Sequence, residues 1–210
     1  MNNTEVIFFD VGYTLINEDA VWKKRCREQS EMTEAKALGL SAEELYHEIE
    51  KATINRLPQY RTVVRKFQFK EVAPYRTEYE TIYPETLKVI KNLAGKYELG
   101  IIANQLEGLK KRLEDFGILQ YFKYIISSWD VQVMKPDLRI FEYALDKANC
   151  IPEKACMIGD RLDNDILPAK SLEMKTVWIK QGFGALQEPS SQAEEPDYTI
   201  KKLTELLEIF

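Results

Sequence analysis

Carboxylate, amide and ammonium side chains follow four apolar runs of this sequence. They are Asp10 in FFDVGYTL at residues 8–15, Asn104 and Gln105 after LGIIA, Lys135 before a proline, and Asp160 and Asp165 after CMIG. A carboxylate can act as a nucleophile or bind Mg²⁺, while a lysine or an amide can bind an anion. Each residue alone is more simply explained as a helix cap, a turn or a solvated charge. Their shared position after apolar runs predicts one site.

The elements that must position these residues alternate between strand and helix. Strands are predicted at residues 5–10, 97–104, 124–127, 155–159, 175–179 and 198–200. Helices are predicted at 84–94, 106–116, 136–149, 163–171 and from 204, with Pro84 in the first turn and Gly95 just after the end of the first of them. The pattern predicts an α/β fold with an open parallel sheet covered on both faces. Because the carboxyl ends of parallel strands share one edge, the candidate residues should meet there.

A helical segment interrupts this alternation directly after the first strand. Residues 18–57 have a helical pattern in which Gly39 is a stop and Ser41 with Glu44 has capping-box spacing, and Pro58 lies just beyond. Residues 60–79 are predicted as helix plus loop. We therefore expect an α/β core from residues 1–16 and 80–210 and an inserted helical domain at 17–79. An insertion there would overhang the site like a lid.

The inserted segment carries the aromatic and cationic side chains that could face a substrate. Core packing or solvation explains each of them equally well. The candidates are Trp22, Arg25, Tyr60, Arg61, Arg65, Phe67 and Arg76.

Composition excludes several classes of function. The net charge of −5 argues against nucleic acid or an anionic membrane as the main partner. The single histidine, His47, is expected on the surface and rules out multi-histidine metal sites. Cys26, Cys150 and Cys156 are expected to be reduced thiols. Residues 1–5 lack signal-peptide character and no apolar run could span a bilayer, so we expect a cytoplasmic protein, monomeric or homodimeric.

The order of the four motifs and the position of the insertion resemble the haloacid dehalogenase (HAD) superfamily over the whole chain. Phosphatases of that superfamily begin with Asp-x-Asp-x-Thr. The resemblance implies a Rossmann-like three-layer core with an inserted helical C1 cap. It implies a Mg²⁺-dependent hydrolase, phosphatase-like, acting on a small phosphorylated metabolite through an aspartyl intermediate.

The resemblance also implies individual roles in this chain. Asp10 would be nucleophile and metal ligand, and Lys135 would balance the charge of Asp10 and of the phosphoryl oxygens. The other implied metal ligands are the Gly12 backbone oxygen, Asp160 and Asp165. Together with Lys135, the phosphate-binding residues would be Thr14, Asn104 and Gln105.

Two residues depart from that pattern. Gly12 replaces the second Asp, which protonates the leaving alcohol and then activates water, and Ala103 replaces a hydroxyl residue. Loss of general acid–base catalysis costs a factor of ~10²–10⁴ in rate, or roughly 3–5 kcal/mol. This is too small to abolish catalysis. From the sequence, Gly12→Asp is expected to raise turnover of monoesters with poor leaving groups.

Other functions stay open at this point. The first alternative is a weak or inactive metal- and phosphate-binding regulatory protein. A phosphonatase would need an imine-forming lysine in the cap, for which Lys66 or Lys70 are the candidates. The third alternative is a metal-independent haloacid dehalogenase, and Asp160 and Asp165 argue against it.

Overall fold

The computed structural model describes residues 3–210, and eight strands lie within that range. They are β1 Val6–Phe9, β2 Ile16–Asn17, β3 Thr81–Ile82, β4 Glu98–Ala103, β5 Tyr124–Ser127, β6 Ala155–Gly159, β7 Lys175–Ile179 and β8 Tyr198–Ile200. Six of them form one parallel sheet in the order β5-β4-β1-β6-β7-β8. The predicted open parallel sheet is confirmed.

The central strand β1 is apolar along its whole length because both of its faces are covered. All four of its residues are buried, and Phe8 pairs with Gly100 of β4 and Met157 of β6. One face of the sheet packs in a cluster with Ile90 and Leu93, and the other in a cluster with Phe141. The core therefore has the three layers expected of a Rossmann-like α/β fold.

Ten α-helices lie within residues 3–210. They are α1 Asp19–Glu31, α2 Thr33–Ala37, α3 Ala42–Ile54, α4 Gln59–Phe67, α5 Thr86–Ala94, α6 Leu109–Asp115, α7 Ser128–Val131, α8 Leu138–Ala148, α9 Leu167–Ser171 and α10 Leu206–Ile209. The segment 18–57, predicted as two helices divided at Gly39, contains three, because the backbone turns extended at Met32 as well as left-handed at Gly39. The predicted capping box at Ser41 and Glu44 is present and begins α3.

The helices α1–α4 are joined to the rest of the chain through a two-stranded antiparallel ribbon. In it, Ile16 of β2 pairs with Ile82 of β3, and Asn17 pairs with Thr81. The chain therefore enters and leaves the helical segment at neighbouring points. A separate apolar cluster holds these helices together and includes Trp22, Leu45 and Ile49.

Local geometry differs from the sequence prediction in a few places. Pro84 lies in a turn, because helix α5 begins two residues later at Thr86, and Gly95 keeps right-handed helical geometry. The predicted helix at 163–171 begins with a π-helical turn, Leu162–Ile166. His47 is exposed, as predicted, and the three cysteines are free thiols. Among residues 3–210 no helix has both the length and the apolar character needed to cross a bilayer.

Candidate active site

Asp10, Lys135 and Asp165 meet at the carboxyl ends of the central strands. Lys135 Nζ donates to Asp10 Oδ1 at 2.6 Å and to Asp165 Oδ1 at 2.5 Å. The lysine is only 4% exposed and Asp165 only 1%. Burial lowers the pKa of Lys135, but the two carboxylates outweigh it and raise the pKa above its usual value. The lysine is therefore a fixed cation between two acids.

Asp160 completes a cluster of three carboxylates. One oxygen of Asp160, one of Asp10 and one of Asp165 lie within 4.8 Å of one another. Trp178 Nε1 donates to the Asp160 backbone oxygen at 2.7 Å, which fixes the end of β6. Burial and then the charges of its two neighbours raise the pKa of Asp160 well above its usual value. The cluster holds more negative charge than Lys135 balances.

The π-helical turn after β6 aims Asp165 back at the strand end. Asp165 Oδ2 accepts from the Arg161 backbone N–H at 2.9 Å, and Asp165 N–H donates to the Arg161 carbonyl. π-Helical turns are rare in proteins, and those that occur are often found at functional sites. Arg161 itself is paired with Asp163, Nη2 to Oδ2 at 2.6 Å, and its charge also acts on Asp160, whose pKa it lowers against the effect of burial.

Asn104 and Gln105 follow β4 and lie at the same edge. Asn104 Nδ2 donates to the Lys135 carbonyl at 2.9 Å, and Asn104 Oδ1 accepts from the Lys135 N–H at 2.8 Å. The amide thus positions Lys135, a role that the sequence did not suggest. Gln105 Oε1 accepts from Arg112, and its backbone N–H donates to Ser128 Oγ at 3.1 Å.

Thr14 is set apart from this group. It is 0% exposed, and within residues 3–210 its Oγ1 has no hydrogen-bond partner. It does not line the cavity that contains the other predicted site residues.

A cavity of about 480 Å³ lies over the cluster. Its floor includes Asp10, Gly12, Asn104, Gln105, Lys135, Asp160 and Asp165, and its opposite wall comes from the inserted helices. Of the residues of the inserted segment that were predicted to face the site, Trp22 and Arg25 line the cavity and the other five do not. Lys66 and Lys70 do not line it either, and Lys66 instead pairs with Glu48.

Glu18, which is not among the residues predicted from the sequence, also lines the cavity. Glu18 precedes α1, is 8% exposed, and accepts from Trp22 Nε1 at 3.0 Å through Oε2. Burial, opposed by hydrogen bonds from Trp22 and Tyr75, raises its pKa to about 7. A glutamate before a helix is usually a cap or dipole residue. The only local signal of another role is the tryptophan four residues later.

A chain of polar contacts links Glu18 to the core. The Tyr75 hydroxyl bonds to Glu18 and also donates to Glu80 Oε1 at 3.1 Å. Glu80 Oε2 lies 3.0 Å from Arg112 Nε, and Arg112 donates to Gln105. This chain runs from the inserted helices to the residues that follow β4, so it fixes both sides of the cavity together.

Known proteins share this architecture and sequence. A family model described as haloacid dehalogenase-like hydrolase matches residues 7–179. The chain is 30% identical to a glyceraldehyde 3-phosphate phosphatase of Methanocaldococcus jannaschii, over 97% of this chain and 95% of that protein. It is 34% identical to the pyrophosphatase PpaX of Bacillus velezensis, over 70% of this chain and 66% of that protein.

A solved structure shows the same fold. YfnB of Bacillus subtilis, a protein described as a HAD-hydrolase bound to magnesium, superposes with a TM-score of 0.74 at 21% identity, over 99% of both chains. The family match spans most of the chain and includes the strands that carry Asp10, Asn104, Asp160 and Asp165. This protein is therefore an enzyme of the haloacid dehalogenase-like hydrolase family.

Proposed function

We propose that this hydrolase is a Mg²⁺-dependent phosphatase that acts on a small phosphorylated metabolite through a phosphoryl group on Asp10. The observation that carries the proposal is the Asp10 carboxylate held by Lys135 Nζ at 2.6 Å, beside two further carboxylates. A nucleophilic carboxylate and an anionic substrate repel each other, so such a site needs more positive charge than one lysine supplies.

The residues present fit a divalent cation. Carboxylate and carbonyl oxygens are the ligands that Mg²⁺ takes, and three carboxylates here face a single ammonium group. Asp10, Asp160 and the Gly12 backbone oxygen would hold the ion, with Asp165 supporting it. Bound there, Mg²⁺ would withdraw charge from the phosphoryl oxygens. The structural relative YfnB is described as bound to magnesium, which agrees with this proposal.

The protein's own residues would position the nucleophile and the phosphoryl group. Lys135 stays protonated, because both of its carboxylate partners raise its pKa, and it holds Asp10 in one orientation. Asn104 fixes Lys135 by two hydrogen bonds to its backbone. Gln105 remains the proposed amide contact to the phosphoryl group, and Thr14 a residue implied only by the family resemblance.

We propose that residues 17–79 act as a cap that closes over the phosphoryl group. Arg25 lines the cap side of the cavity, and its guanidinium stacks on the Tyr60 ring at 3.6 Å. Its Nε donates to the Ala73 carbonyl at 2.9 Å, and within residues 3–210 no carboxylate forms an ion pair with it. An arginine held this way suits a second anionic group of the substrate.

The test is phosphate release from acetyl phosphate and p-nitrophenyl phosphate, each with Mg²⁺ and with EDTA. We expect turnover that requires Mg²⁺ and is lost in Asp10→Asn. Equal rates in wild type and Asp10→Asn would overturn the proposal. Tight Mg²⁺-dependent phosphate binding without turnover would instead favour a regulatory binding protein, and chloride release from 2-haloacids in EDTA would favour a dehalogenase.

A further inference from the structure

The Glu18 carboxylate fills the space beside Gly12. A Cβ atom built on Gly12 lies 2.8 Å from Glu18 Cδ and 3.1 Å from Oε2, and it lies closer still to Oε1. Real side chains do not approach a carboxylate this closely. Any residue larger than glycine at position 12 would therefore displace Glu18. Glu18 therefore places a carboxylate where the side chain of position 12 would lie.

The surroundings of Glu18 hold its carboxylate at this place. Trp22 Nε1 donates to Oε2 at 3.0 Å, and the Tyr75 hydroxyl, which donates its proton to Glu80, also bonds to Glu18, so two neutral side chains position the group. Within residues 3–210 no lysine or arginine forms an ion pair with Glu18. A buried carboxylate without a cation is costly, and such a cost is expected at functional positions.

The other carboxylates near the cavity already have a proposed role or a hydrogen-bond partner. Four line it within the described range, and Asp10, Asp160 and Asp165 form the proposed metal cluster. The fourth is Glu18. Asp19 does not line the cavity and accepts from the Tyr13 hydroxyl at 3.0 Å. Glu18 is thus the lining carboxylate that remains for proton transfer.

We infer that Glu18 is the general acid and base of the reaction, serving the leaving group in place of a carboxylate at position 12. This inference rests on the proposed phosphatase function. As an Asp10 oxygen bonds to phosphorus, the bond to the leaving oxygen breaks, and that oxygen keeps the electron pair and takes the Glu18 proton. Water then gives a proton to Glu18 while its oxygen bonds to phosphorus. The phosphorus–Asp10 bond breaks, and phosphate and both original side chains are released.

The experiment compares two substrates of similar shape that differ in leaving group, phenyl phosphate and p-nitrophenyl phosphate. The poor phenolate needs protonation more than the nitrophenolate does. In Glu18→Gln we expect kcat/KM for phenyl phosphate to fall by ~10²–10⁴, and that for p-nitrophenyl phosphate by less than about tenfold. Asp19→Asn is the matched control, since it removes a neighbouring charge outside the cavity, and it should keep the wild-type ratio.

A second variant keeps the test independent of how well Glu18→Gln folds. Glu18→Ala combined with Gly12→Asp moves the carboxylate to the other position, and we expect it to regain phenyl phosphate turnover relative to Glu18→Ala alone. Equal losses on both substrates in Glu18→Gln, or no regain in the double variant, would mean that Glu18 is only structural. Absence of turnover in wild type would overturn the proposed function itself, a result distinct from these.

Discussion

The Glu18 carboxylate lies in the space that a side chain at position 12 would need, so the identities of Glu18 and Gly12 depend on each other. From the motif alone, Gly12 indicates a missing acid. The structure shows that a carboxylate is present at that place, delivered from the residue before α1. By the same geometry, a larger residue at position 12 would have to move the Glu18 carboxylate.

The first prediction concerns Gly12→Asp alone. The sequence suggested a gain in turnover. The geometry instead predicts a loss of stability and no such gain, because two carboxylates would compete for one buried space. We expect a lower melting temperature than wild type and no selective gain on phenyl phosphate. Differential scanning calorimetry should show that adding Glu18→Ala restores stability to the variant. A stable, more active single variant would show that Glu18 moves away without cost.

The second prediction concerns the pH dependence of stability. Burial raises the Glu18 pKa from 4.5 to about 7 in the folded state, so the unfolded chain releases this proton first as pH rises. The contribution of Glu18 to stability therefore falls between pH 4.5 and 7, where the carboxylate becomes charged while buried. The order of magnitude is up to about 3 kcal/mol at pH 8.

Glu18→Gln removes that charge. The unfolding free energy of the variant minus that of wild type should therefore be larger at pH 8 than at pH 5. Urea unfolding at the two pH values measures this difference. Trp22, Tyr75, Glu80 and Asp10 face the group and are unchanged by the substitution. The same difference in unfolding free energy at both pH values would contradict the raised pKa.

The third prediction concerns metal binding without catalysis. Mg²⁺ should raise the melting temperature of wild type, since a ligand at 100 times its dissociation constant stabilises by about 2.7 kcal/mol. Asp160→Asn should lose most of this shift. Asp163→Asn, which alters a carboxylate paired with Arg161 outside the cluster, should keep it. A Mg²⁺ shift that survives Asp160→Asn would place the ion elsewhere.

The fourth prediction concerns substrate selection by Arg25. Arg25→Gln should raise KM for phosphorylated substrates with a second anionic group, by about tenfold for the loss of one charged hydrogen bond. It should leave KM for acetyl phosphate nearly unchanged. Arg61→Gln, an exposed cap variant off the cavity, is the control. A uniform rise in KM for all substrates would indicate a general effect on cap packing.

The sequence predicted the inner strands of the sheet well because they are buried on both faces. Four strands match their predicted bounds, among them Ala155–Gly159 and Lys175–Ile179, since continuous apolar runs end sharply there. The convergence of Asp10, Lys135, Asp160 and Asp165 followed from parallel strands sharing one edge. Local helix ends were less predictable, because a π-helical turn has no simple sequence signal.

The position of Glu18 could not be predicted from the sequence. It reaches Gly12 because the chain turns left-handed at Tyr13 and then enters the short strand β2. No local sequence pattern signals that path. The same holds for Asn104, whose contacts with the Lys135 backbone join two distant parts of the chain.

Mass spectrometry of the protein mixed rapidly with acetyl phosphate and Mg²⁺ tests directly whether Asp10 carries the phosphoryl group and Glu18 activates water. We expect a phosphoryl adduct on the Asp10 peptide that builds up in Glu18→Gln, because that variant lacks the base that activates water. Wild type should turn over with little adduct. Asp10→Asn should show none. Absence of any adduct on Asp10 in Glu18→Gln, or an adduct that persists in Asp10→Asn, would contradict this mechanism.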